Sequence, residues 1–177
     1  MSCEWLLLPA NEFACRRTLI EGCQSTLSSG NWPPEWEDEI DTLWNMIALG
    51  ECTAHLEALH HERNLEFEVS DAKTTEVVKR ALLSFSPAQV INLCWQSARD
   101  AVDYMAKKQI GRGAGQSVVR GILDRKIDKY LANDWKLNPS RRDRRLPRSA
   151  ISVVFFDVVT GFGDEYFNEV PPQSSVN

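Results

Sequence analysis

The sequence predicts an all-α fold, a compact bundle of six or seven helices with one short extended segment near residues 65–69. Three features lead there. Apolar residues recur at i, i+3, i+4 and i+7 over most of the 177 residues, the pattern of a helix with one buried face. Helix-start chemistry recurs along the chain. Strand chemistry is confined to the alternating Leu65 to Val69 and one late apolar run, and a strand without a partner is not stable in water.

The elements follow in order. Trp5 to Leu8 form an apolar block expected to pack on the core. Glu4 stands where a secretory leader would carry basic residues. Asn11 to Ser28 is the first expected helix, ending near Ser29-Gly30. In NWPPEWEDEIDTLWNMIALG, Pro33 and Pro34 suit a first turn and acids crowd the positive end of the helix dipole. Trp36, Ile40, Leu43, Trp44 and Ile47 then make one stripe. Gly50 either ends this helix or weakens it before Cys52 to Arg63.

Lys73 to Phe85 reads as the next helix. Ser86, Pro87 and Gln89 are the strongest start signal, a cap, a first-position proline and a capping-box partner. That helix runs to about Lys108, with Val90, Ile91, Cys94, Ala98, Ala101, Val102 and Met105 on one face and Trp95 nearby. Gly111, Gly113 and Gly115 interrupt it, and Ser117 to Leu131 restart the period. Ile151 to Val159 is apolar on nearly all sides. Its β-branching favours a strand locally, but the lack of a partner strand favours a helix.

A chain of this length fits one domain, residues 1–177, with a basic loop at 136–149 and a short flexible tail at 170–177. No apolar run approaches the roughly 18 residues of a membrane span, so no membrane partner is expected. The five cysteines are odd in number and hold no CxxC pair, which argues against a disulfide framework or a four-thiolate zinc site and for the cytoplasm.

The net charge of −5 conceals a division. Residues 1–72 sum to −11, residues 73–149 to +10 and residues 150–177 to −4. Such a chain either meets a charged partner or folds its halves together.

Two surfaces are the candidate sites. Lys136, Arg141, Arg142, Arg144, Arg145 and Arg148 form a basic segment that could grip nucleic acid or an acidic protein, because arginine forks match phosphate and carboxylate oxygens. Against nucleic acid stand the pI of about 5.3 and the lack of interleaved aromatics beyond Trp135. Trp32, Trp36, Glu37 and Asp41 form an acidic, tryptophan-rich patch suited to docking a protein. Trp44, on the same stripe as Ile40 and Ile47, is expected in the core.

Other constellations carry less. Cys52, His55 and Glu62 share a helical face and suggest a metal-dependent enzyme, but the pattern is not HExxH, and histidines near a helix end are usually solvated. The helix-turn-helix reading of residues 76–95 lacks the usual turn glycine and places Asp100 and Asp103 where phosphate would be repelled. IGRGAGQSVVRG is not a Walker loop and follows no convincing strand. No GxSxG or reactive-cysteine signature supports covalent catalysis. The favoured expectation is a small cytoplasmic interaction protein, adaptor or inhibitor-like, binding a protein partner through charged surfaces and using no cofactor. The alternatives are a nucleic-acid-associated protein using residues 136–148 and the metal-dependent enzyme.

Overall fold

The structure, a computed structural model, describes residues 17–18, 21–22, 35–68 and 71–173, and in the stretch that begins at Glu35 it describes side chains from Glu39 onward. Among these residues the chain forms five α-helices and no strand. None is long and apolar enough to cross a membrane. The expected six or seven helices become five for two reasons. Asn11 to Ser28, like the Trp5 to Leu8 block, lies outside the described residues, apart from the helical Arg17, Thr18, Glu21 and Gly22. The second reason is Gly50, which does not end its helix.

The first long helix, α1, runs unbroken from Glu35–Glu62. Trp44, Ala48, Cys52 and Leu56 are all buried along it. A continuous stripe on both sides of Gly50 outweighs the cost of about 1 kcal/mol that one helical glycine carries. At its end the chain reverses through Asn64, at φ 51, and Leu65 N–H bonds the His60 carbonyl at 2.9 Å.

Residues 65–68 are neither helix nor strand. They form no strand because their backbone partner is a side chain: Gln116 accepts from Glu68 N–H and donates to its carbonyl, both at 2.9 Å. Val69 lies outside the described residues. Helix α2, Ala72–Leu82, begins one residue before the expected Lys73 and ends short of Phe85. Its cap is Asp71, whose carboxylate accepts from Lys73 and Thr74 N–H and is held at 2.6 Å by Arg120.

Helix α3, Pro87–Lys108, starts with the capping box the sequence predicts: Ser86 Oγ accepts from Gln89 N–H, and Gln89 Oε1 from Ser86 N–H. Val90, Cys94, Ala98 and Ala101 are fully buried, as expected. Val102 is not, at 38% exposed. The buried row steps by three and four residues, and position 102 falls one residue beyond it, about 100° away.

Helix α4, Gly115–Ala132, follows a short 3-10 turn at Arg112–Ala114. It lies against α3, and α3 packs in turn on α1. Gly115 starts it because a Cβ there would stand 3.0 Å from Leu65 Cβ. Helix α5, Ala150–Val153, continues as a π-helical stretch through Val154–Val159. The helical reading of this run therefore holds. Phe155 and Phe156 enter the core, where Phe156 stacks on Tyr166 at 3.5 Å.

Of the expected tail at 170–177, residues 170–173 are described and 174–177 lie outside the described residues. Pro171 is buried, and the Pro172 carbonyl accepts from Asn45 Nδ2 at 2.7 Å.

Candidate functional site

Segment 142–151 is fastened along α1 by opposite charges brought together over long stretches of chain. Arg142 reaches Glu51 at 3.0 Å, and Arg145 reaches Glu62 at 2.7 Å. Tyr166, with no exposed surface, donates its hydroxyl to Glu51 at 2.7 Å from Oε2. Arg142 and Ser152 also bond the Tyr166 hydroxyl oxygen, and Arg142 covers the Phe167 ring at 4.2 Å. Burial pushes the Tyr166 phenol up to about 12, so it remains a donor throughout the physiological range.

The fastening leaves a groove of about 420 Å³ between α1 and this segment. Leu43, Met46 and Ile47 form the α1 wall, and Leu146, Pro147 and Ile151 the other. Met46 is 63% exposed and Ile151 55%. Two large apolar side chains thus stand in water on opposite walls of one concave surface. Exposed Leu83 extends the apolar surface through a second hollow on the far side of Met46. Polar groups at the groove are already engaged: Glu51 with Arg142, and Asp143 with Arg145. Bonds from Arg145 hold the Asp143 carboxyl at about 2. Burial depresses the affinity of His55 for a proton, against the pull of Asp143 and Glu62. What the groove offers a ligand is therefore apolar wall with a fixed charged floor.

A comparison with known proteins finds similarity to "Uncharacterized protein RC0786" of Rickettsia conorii (strain ATCC VR-613 / Malish 7). The two are 32% identical over 56 residues, which is 32% of this chain and 68% of that protein. The chain belongs to the family of that protein. No family model matches the chain, and no solved structure matches it.

The sequence-predicted site residues separate into distinct groups. Of the six basic residues, Arg142 and Arg145 pair with α1, and Arg148 pairs with Asp157 at 2.8 Å and Asp164 at 3.0 Å. Lys136, Arg141 and Arg144 are exposed and have no ion pair among the described residues. Folding together of the acidic and basic halves thus accounts for two of the six, and the acidic segment 150–177 for a third. Trp32 lies outside the described residues, as do the side chains of Trp36 and Glu37, whose backbone is in α1. Asp41 is half-buried on α1, and its carbonyl accepts from Asn45. Trp44 is in the core, edge-on to Phe156 and Phe162.

Cys52, His55 and Glu62 do not converge. The Cys52 thiol is fully buried, 3.9 Å from the Pro87 carbonyl, and Glu62 is spent on Arg145. Among the described residues no group of three His, Cys, Asp or Glu side chains is placed to hold a metal ion. His60 corrects the expectation of solvated histidines. It has no exposed surface, its Nδ1–H donates to the Leu56 carbonyl at 2.8 Å, and Nε2 has no partner among the described residues. The fold of residues 63–67 back over the end of α1 buries it against Phe67, with ring centroids 4.8 Å apart. Sequence reasoning missed the groove, although one signal was present: Met46 is a large apolar residue off the buried stripe of its own helix.

Proposed function

We propose that the chain is a cytoplasmic protein-interaction module, adaptor or inhibitor-like, that takes a basic amphipathic helix of a protein partner into the groove between α1 and segment 142–151. The observation that carries this reading is the pair of exposed apolar residues, Met46 and Ile151, on opposite walls of one groove. Contiguous exposed apolar surface in a protein of this size is a mark of interaction sites, and helix-in-groove recognition uses anchors at i, i+3 or i+4, and i+7.

Charge selects the partner. The α1 wall, Leu43, Met46 and Gly50, continues one turn earlier to exposed Glu39. Glu35, Glu37, Asp38 and Asp41 lie beside it in sequence. A helix with apolar anchors and lysine or arginine at one end satisfies both features, and steering by such charges speeds association. Exposed Glu39 thus supplies an acidic rim one turn before the groove.

The test uses a synthetic peptide of about 18 residues, with leucines at helical spacing and lysines elsewhere, against a scrambled peptide of the same composition. Fluorescence anisotropy should show the patterned peptide binding and the scrambled one failing. Met46→Glu and Ile151→Glu should each weaken binding by about tenfold or more, equivalent to about 1.4 kcal/mol, with unchanged melting temperature because both side chains already face water. Equal binding of the two peptides, or binding indifferent to both substitutions, would refute the reading.

A further inference from the structure

A second surface lies across the N-terminal half of α3 and the end of α4. Segment 137–140 is fixed over α3 by three hydrogen bonds: Gln89 Nε2 to the Leu137 carbonyl at 2.9 Å, Asn92 Nδ2 to the Asn138 carbonyl at 2.7 Å, and Ser140 N–H to the Ala88 carbonyl at 2.9 Å. This places Arg141 in one hollow with Trp95, a residue 46 positions earlier in the chain. Next to Trp95 on α3, Gln96 meets Lys126 of α4 at 3.4 Å. One turn on, Tyr130 stands edge-on to Trp135 at 5.9 Å. Neighbouring residues thus lead from Arg141 and Trp95 through Gln96, Lys126 and Tyr130 to Trp135.

Both tryptophans are open to solvent, Trp95 at 43% and Trp135 at 48%. Each also has a cation over its ring, Arg99 at 5.1 Å from Trp95 and Lys129 at 5.0 Å from Trp135. The acids of the hollow are paired: Glu62 and Asp143, which line it with Trp95 and Arg141, are both held by Arg145, at 2.7 and 2.6 Å, and exposed Asp103 lies two turns beyond Trp95 on α3. Asp100 is neutralised by both Arg99 and Lys126, at 2.8 and 2.9 Å. Lys129, Lys136, Arg141 and Arg144 have no ion pair among the described residues. Exposed Asp134 is the remaining negative charge beside Trp135. Exposed aromatic rings interleaved with free cations were absent from the linear sequence around Arg141; the fold assembles them.

We infer that this face binds single-stranded nucleic acid, with Trp95 and Trp135 stacking on bases and Lys136, Arg141 and Arg144 meeting the phosphodiester backbone. Stacking platforms beside a positive track are the physical basis of sequence-tolerant single-strand binding. A duplex keeps its base faces stacked internally and cannot offer them to either ring. An acidic polypeptide would use the cations and leave the rings idle. The overall charge of −5 does not oppose the inference, because screening confines the relevant field to about 10 Å. This face is separate from the groove and does not depend on what the groove binds.

Full-length protein titrated with an oligothymidylate of about 16 nucleotides, near 50 mM salt, should show quenched tryptophan fluorescence and an affinity that falls steeply with added salt. Trp95→Ala and Trp135→Ala should each weaken binding by about tenfold, and Trp95→Phe should largely restore it. Arg141→Ala with Arg144→Ala should reduce the salt slope by about 2. Inorganic polyphosphate, polyglutamate and a duplex of the same length are the competing probes and should bind more weakly. Met46→Glu should have no effect, which separates failure here from failure of the groove. No binding of oligothymidylate at low salt overturns the inference. So does polyphosphate or polyglutamate binding as tightly with both tryptophan-to-alanine variants unaffected, because the face would then recognise charge alone.

Discussion

The Tyr166 hydroxyl donates to the Glu51 carboxylate, 2.7 Å from Oε2, across 115 residues of chain. That bond, with Arg142 on the same carboxylate, holds the far wall of the groove against α1. Tyr166→Phe keeps the stack on Phe156 and removes the buried donor. It should cost about 1–3 kcal/mol, because Glu51 is left short of a partner in a poorly solvated place. Thermal melts should fall by about 2–4 °C for each kcal/mol. An unchanged melting temperature would mean the network contributes nothing net.

Two glycines should respond with opposite sign. A Cβ at Gly50 meets nothing within 4 Å, so Gly50→Ala should stabilise the exposed middle of α1 by about 0.5–1 kcal/mol. A Cβ at Gly115 would press on Leu65 Cβ at 3.0 Å, so Gly115→Ala should destabilise by about 1 kcal/mol or more. Urea unfolding of the two variants beside the native chain checks both signs.

Helix α2 depends on its cap. Asp71→Ala should cost about 0.5–2 kcal/mol. Asp71→Asn keeps an acceptor for Thr74 N–H while losing the charge that faces Arg120, and should recover most of the loss. Failure of asparagine to recover it would assign the stability to the ion pair and not to the cap.

Acid should weaken the fold before the carboxylates titrate. Burial lowers the proton affinity of His60 and of His55 below the ordinary value of 6.5. The unfolded chain therefore binds more protons than the folded one as pH falls through that value. The stability these groups confer is complete above it and is lost below it. The urea midpoint should fall between about pH 7.5 and pH 5.5, and His60→Leu should flatten that fall whatever its effect on the midpoint itself. Replacing exposed His61 serves as the control. A slope unchanged by His60→Leu would contradict the assignment.

The local signals were legible and the long-range ones were not. Ser86 to Gln89 could be read as a helix start because a capping box is complete within four residues. The row Val90, Cys94, Ala98 and Ala101 could be read as core because its spacing alone defines a face. Asp71 was not read as a cap because the next helix was expected to start at Lys73, two residues further on. Tyr166, Glu51 and Arg142 could not be associated, since nothing in a sequence records which charges meet across 91 or 115 residues. His60 and Met46 mark the same boundary. Their exposure depends on what folds over α1, residues 63–67 in one case and open groove in the other. Trp95 and Arg141 likewise become neighbours only because segment 137–140 is tied across α3.

The groove is the central claim, and the chain's three methionines give a direct probe of it. Met46 lines the groove and Met105 lies in the core. Methyl-labelled methionine observed by NMR during titration with the leucine–lysine peptide should show the Met46 resonance moving to saturation while Met105 stays in place. Saturable binding that leaves the Met46 methyl unmoved, or that shifts Met105 as far, would contradict the account.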